Sequence, residues 1–151
     1  MHLGIFAGTQ VVSIEKMDSP GLASNVTIGK GAPAHCTGVG TALLAFQPAT
    51  VVAAVCRRGL TRHTANTITG QGRLRRELAR VRRVGYAVAN REHELGVRCI
   101  VAPVRNHTGA VVASLSVSGP ATRIREEDSP RLAERVKEVA QKLSMQLGHR
   151  A

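Results

Sequence analysis

Apolar positions along the chain follow two periods in alternation. Near the N-terminus, Val12 and Ile14 alternate with Ser13 and Glu15, and together with His2 to Phe6 and the intervening Ala7-Gly8-Thr9 they read as a hairpin over His2 to Phe6 and Gln10 to Lys16. Asp18-Ser19-Pro20-Gly21 breaks the pattern, Leu22 to Ile28 is expected to form a third strand, and Gly29 to Pro33 is expected to be a glycine-rich loop. From Cys36 or Thr37 the spacing of Val39, Leu43 and Phe46 changes to that of a buried helix, which Pro48 stops. A short helix from Thr50 to Arg58 ends at Gly59. After the aperiodic stretch Leu60 to Gly72, the residues Leu74, Leu78 and Val81 make a helical stripe that ends at Gly85.

Strand character returns in Tyr86 to Asn90, Val97 to Val104 and Ala110 to Ser118, the last two joined by a turn at Asn106-His107-Thr108-Gly109. Ser129 is expected to cap a final helix begun by Pro130, with Leu132, Val136, Val139, Leu143 and Leu147 on its buried face. Strands and helices joined by short turns point to an α+β domain with a mainly antiparallel sheet. No repeat or low-complexity tract interrupts it.

At 151 residues the chain has the size of one domain, able to remove roughly 70% of its unfolded surface from water. No apolar run approaches the ~20 residues of a membrane helix, and Gly4 and Gly8 interrupt the start where a secretory signal would be continuous. A cytoplasmic protein is expected. Cys36, Cys56 and Cys99 are odd in number and form no CxxC pair, which argues against a disulfide framework or a zinc finger. His35, Cys36, His93 and Cys99 are the one His/Cys set that could sit together, but their spacing fits no standard metal pattern, so neither metal nor cofactor is expected.

The net charge of +11 raises the question of nucleic acid, and its location answers part of it. Ten arginines between Arg57 and Arg91 face a single acid, Glu77, while the rest of the chain carries eleven basic and nine acidic groups. An arginine-rich helix is most simply a solvated face. With two Phe, one Tyr and no Trp, base stacking has little to work with.

Two clusters carry candidate chemistry. Strict alternation in the strand ending at Ser118 puts Ser114, Ser116 and Ser118 on one face, where the hydroxyls either bond neighbouring strands or face a ligand. Gly38, Val39 and Gly40 open a helix, where glycines either allow close packing or leave backbone N–H groups for an anion. Cys99 falls on the same alternation face as Val97 and Val101, opposite Arg98; by itself it reads as a small buried hydrophobe.

Four segments carry a resemblance: His35 to Ala45, Leu60 to Thr69, Gly96 to Val104 and Leu115 to Pro120. Taken in this order and spacing they resemble the effector-binding domain of the IclR family of bacterial transcription regulators, over nearly the whole chain. The resemblance implies a GAF-like or profilin-like antiparallel sheet of about six strands flanked by helices, with a ligand pocket between the sheet and its loops. It implies a non-enzymatic sensor of a small organic acid, contacted by Gly38, Val39, Ala89, Cys99, Ser116 and Ser118. It also implies a homo-oligomer, dimer or tetramer.

The winged helix-turn-helix and linker helix of such regulators are not in this stretch of sequence, so the chain alone is not expected to read DNA sequence. Two positions depart from the family: Ala89 stands where many members carry an acid, and Thr41 where a Lys is usual. The alternatives are a thiol-dependent enzyme on the same fold using Cys99 or Cys36, and a truncated regulator that modulates full-length relatives.

Overall fold

In a computed structural model, which describes residues 1–20 and 25–150, the strands form one six-stranded sheet. They are β1 (His2–Ala7), β2 (Gln10–Lys16), β3 (Gly31–Pro33), β4 (Ala87–Asn90), β5 (Val97–Arg105) and β6 (Val111–Pro120). The order across the sheet is β3-β2-β1-β6-β5-β4, with every neighbouring pair antiparallel. The helices are α1 (Gly38–Leu44), α2 (Ala49–Arg57), α3 (Gln71–Val84) and α4 (Ser129–Gln146), the last preceded by a 3-10 turn at Glu126–Asp128.

Alternation along β5 divides the core in two. Val101 turns toward α1 to α3 and joins Leu43, Leu44, Leu74, Leu78 and Val81, whereas Ile100, Ala102 and Val104 turn toward Ala133, Val136 and Ala140 of α4. The sheet is therefore covered on both faces. Each fully buried leucine contributes on the order of 2–3 kcal/mol by leaving water. The stripe Leu74, Leu78 and Val81 of α3 is buried as its spacing requires, and the helix ends where Gly85, at φ +82°, takes the left-handed cap conformation that side chains resist. The arginines on the remaining faces of α3 are largely solvated, although Arg82 reaches back to the Ala45 carbonyl at 2.7 Å and Glu77 receives Arg80 in a two-pronged pair.

Three expectations are corrected. The third strand is not Leu22 to Ile28: residues 21–24 lie outside the described residues, 25–28 are not strand, and the edge is Gly31–Pro33, in the segment read as a loop. An edge strand needs backbone pairing on one side only, here Val11 with Ala32 and Gln10 with Pro33, so a Gly-Ala-Pro tripeptide can supply it without β-propensity. Ser129 is not the cap of α4 but its first residue, with Asp128 before it, and its hydroxyl donates to the Arg125 carbonyl.

The buried face of α4 also runs through small residues, Ala133, Val136, Ala140 and Ser144, with Leu132 and Leu143 at its margins. Val139 and Leu147 are 47% and 45% exposed. Small side chains let the helix lie close on the sheet, and Ser144 locks its far end by donating to the Ala140 carbonyl and accepting from the Arg105 N–H.

Candidate functional site

Helix α1 lies on the sheet at a distance only glycine permits. A Cβ on Gly38 would come within 2.7 Å of Val101 Cγ2, and one on Gly40 within 2.3 Å of the Ala34 carbonyl oxygen. The packing reading of these glycines therefore holds. Thr37 caps the helix: its hydroxyl donates to the Pro33 carbonyl and accepts from the Gly40 N–H. The N–H groups of Gly38 and Val39 meet no acceptor among the described residues.

Beside this helix start, between the sheet and the segments 25–33 and 92–96, lies a cavity of about 530 Å³. Gly38, Val39, Ala89, Cys99, Ser116 and Ser118 all line it. The sheet register brings them together: Cys99 faces Ala89 on one side and Ser118 on the other. Each of the three serines on the β6 face has a protein partner. Ser114 lies under α1 with its hydroxyl toward the Val39 carbonyl, outside the cavity lining; Ser116 shares a hydrogen bond with His2 Nδ1 at 3.1 Å; Ser118 donates to Cys99 Sγ at 3.0 Å. A hydroxyl has one proton and two lone pairs, so these contacts leave Ser116 and Ser118 with acceptor capacity toward the cavity.

Sequence reasoning passed over several lining residues. His2 is the register partner of Ser116 across β1 and β6, a pairing that no local motif signals. Lys30 and Glu92 bring opposite charges into the lining, and Cys36, Thr37 and His93 complete the loop side. Burial pushes the Glu92 carboxyl up to about 7, against the backbone hydrogen bond at Asn90 that favours its charged form. Burial, reinforced by the N-terminal ammonium, lowers His2, and burial likewise lowers His35 and His93.

The thiols move the other way from a nucleophile. Burial, with Glu92 adding to it, pushes Cys36 up to about 12, and burial raises Cys99 against its hydrogen bond from Ser118. Both are held as neutral thiols, which speaks against a thiol-dependent enzyme. Behind the cavity, His35 and Cys36 meet His63 from the 60–70 loop, a grouping in which His63 takes the place that the sequence reading gave to His93 and Cys99.

No helix among the described residues is long and apolar enough to cross a membrane. Residues 1–145 match the family model described as the C-terminal region of the bacterial transcriptional regulator IclR. Among curated proteins, the chain is 34% identical over 152 residues to the HTH-type transcriptional regulator XynR of Escherichia coli K12, covering 99% of this chain and 60% of that one. It spans less than two thirds of the length of the curated relatives it matches.

Among solved structures, the C-terminal domain of the E. coli regulator KdgR superimposes with a TM-score of 0.86 at 35% identity, over 98% of this chain and 87% of that one. A double mutant of the inducer-binding domain of the transcription factor PobR from Acinetobacter, in complex with 3-hydroxybenzoic acid, superimposes with a TM-score of 0.85 at 26% identity, over 95% and 86%. These relatives are regulators of transcription, not enzymes.

Proposed function

The chain belongs to the IclR family of bacterial transcriptional regulators, as their C-terminal effector-binding domain, and on that footing we propose that it senses a small organic acid in the cavity beside α1. The observation that carries this reading is the mixture of groups around one space. Two backbone N–H groups that meet no acceptor among the described residues, a lysine and two serine hydroxyls converge on a cavity whose wall also includes the apolar Ala89 and Val97, with Glu92 and Glu94 on its loop side. Backbone N–H groups and an ammonium suit a carboxylate, and the hydroxyls suit a polar substituent on the rest of the molecule.

Gly38 and Val39 thus serve through their main chain, and Ser116 and Ser118 through their side chains. Ala89 offers no hydrogen bond, so the part of the ligand against it is apolar or aromatic rather than a short polyhydroxy chain. A hydroxybenzoate is such a molecule, and the PobR domain is precedent for one in this fold. Binding biases the assembly of the cytoplasmic regulator and, through it, transcription.

Calorimetric titration with a panel of aliphatic and aromatic carboxylates tests this. Ser116→Val and Ser118→Val keep a strand-compatible side chain and remove the hydroxyl, so each is expected to weaken the best ligand by about 1 kcal/mol or more, roughly fivefold. A ligand bound equally well by both variants would put the site elsewhere.

The domain is further expected to associate with itself. Val139, Met145 and Leu147 are exposed in the second half of α4 and just beyond it, and β3 and β4 are the edge strands of the sheet. Sedimentation showing only monomer through the micromolar range would remove this part of the reading.

A further inference from the structure

We propose that His35, Cys36 and His63 form a binding site for a borderline-soft divalent cation of the zinc class. One donor atom from each residue lies within 4.8 Å of the other two. Ligands bonded at 2.0–2.3 Å around a tetrahedral ion lie roughly 3.3–3.8 Å apart, so the set must contract by about 1 Å. His63, the exposed member, whose ring centroid lies 4.9 Å from that of His93, is the one that has to turn, while His35 and Cys36 are 4% and 0% exposed and held in place.

The surroundings are those of a metal-bound histidine. The Thr61 carbonyl, 2.9 Å away, accepts from His35 Nε2–H, which fixes the tautomer and leaves the lone pair on Nδ1. The loop that carries His63 is itself tied down: Thr67 Oγ1 accepts from the His63 and Thr64 N–H groups and donates to the Glu92 carbonyl. A buried histidine bonded to a carbonyl would by itself be an ordinary core residue. The convergence of a second imidazole and a thiol on it is what that reading leaves unexplained.

Donor type selects the ion. Two imidazoles and a sulfur, without a carboxylate, match zinc and reject magnesium and calcium. On binding, the Cys36 S–H bond breaks, the sulfur–metal bond forms and the proton passes to solvent. Three protein ligands leave a fourth position for water. Cys36 lines the larger cavity, whereas His35 and His63 line a smaller one of about 240 Å³, so the ion would lie in the wall between them.

The test is titration of the whole chain with zinc chloride alone by calorimetry, and with cobalt(II) by absorbance. One equivalent is expected to bind in the micromolar range or tighter, with a thiolate-to-cobalt charge-transfer band that a chelator removes. His63→Ala, on an exposed side chain, is expected to keep the metal-free melting temperature and weaken binding at least about tenfold, and Cys36→Ser to remove the charge-transfer band. Absence of a saturable site below about 100 μM overturns the proposal. So does a site unchanged by His63→Ala, which would put the ion on other histidines, or a cobalt complex without the thiolate band.

Discussion

Gly40→Ala is expected to lower the unfolding free energy by about 2 kcal/mol, whereas Gly72→Ala, the same change in another helix, raises it by up to about 1 kcal/mol. Helix propensity favours alanine by nearly the same amount at either position, so the surroundings decide the sign. A methyl group on Gly40 would come within 2.3 Å of the Ala34 carbonyl oxygen and 2.5 Å of its Cα, both backbone, and within 2.6 Å of the Thr37 hydroxyl that caps α1. Relief requires moving the helix away from the turn before it, at a cost of about 3 kcal/mol against a gain of about 1.

At Gly72 the methyl group would meet only the far end of the Arg76 side chain, at 3.7 Å. Urea denaturation of the two variants measures the difference. Two changes of the same sign would show that α1 does not sit against the turn as closely as the geometry says. Because Gly38 and Val39 open the same helix, Gly40→Ala is also expected to weaken carboxylate binding.

The second large effect depends on pH. Burial favours the protonated form of Glu92, whose folded value is about 7 against an ordinary carboxylate near 4.5. Below pH 4.5 the group is protonated whether the chain is folded or not, and its burial costs nothing through ionisation. As the pH rises from 4.5 toward 7 the unfolded chain releases this proton while the folded chain retains it, and stability is lost until, near 7 and above, the folded carboxyl has ionised as well.

A displacement of this size corresponds to at most about 3 kcal/mol, and partial solvent access reduces it to about 2. Glu92→Gln should therefore be more stable than the parent by about 2 kcal/mol at pH 8 and indistinguishable from it near pH 4.5. His2, His35 and His93, lowered by burial, act in the opposite sense: their contribution is lost as the pH falls below 6.5. Both chains carry them, so they cancel in the difference. Denaturation of the pair at the two pH values measures it, and a difference independent of pH would mean that Glu92 is solvated. For the same reason a carboxylate ligand should bind more tightly below pH 7, where Glu92 no longer repels it.

Local pattern was sufficient wherever a single element decides its own structure. The stripe of Leu74, Leu78 and Val81 with Gly85 after it specifies α3 to the residue at its end, because periodicity and a left-handed cap are properties of the segment itself. The same holds for the hairpin of β1 and β2 and for β5 and β6 across their Asn106 to Gly109 turn. Alternation alone put Cys99 on the face opposite Arg98 and put Ser116 and Ser118 together, and that is how these residues stand about the cavity. The glycines of the α1 start were visible as a short run, though their reason, that a Cβ there would come within 2.3–2.7 Å of Ala34 or Val101, was not.

What the segment does not hold within itself came from the tertiary structure. The edge strand is Gly31–Pro33 because β2 needed a backbone partner there, a demand that Leu22 to Ile28 could not reveal by its own composition. The face of α4 that is buried was decided by how closely a helix can approach the sheet, which favours Ala133 and Ala140 over Val139 and Leu147. His2 reached Ser116 across 114 positions of chain, and His63 reached His35 and Cys36 across the length of α1 and α2. Hydrophobic period is a one-dimensional signal and fixes which face turns inward; the meeting of residues from distant elements depends on strand order and register, which only the folded chain supplies.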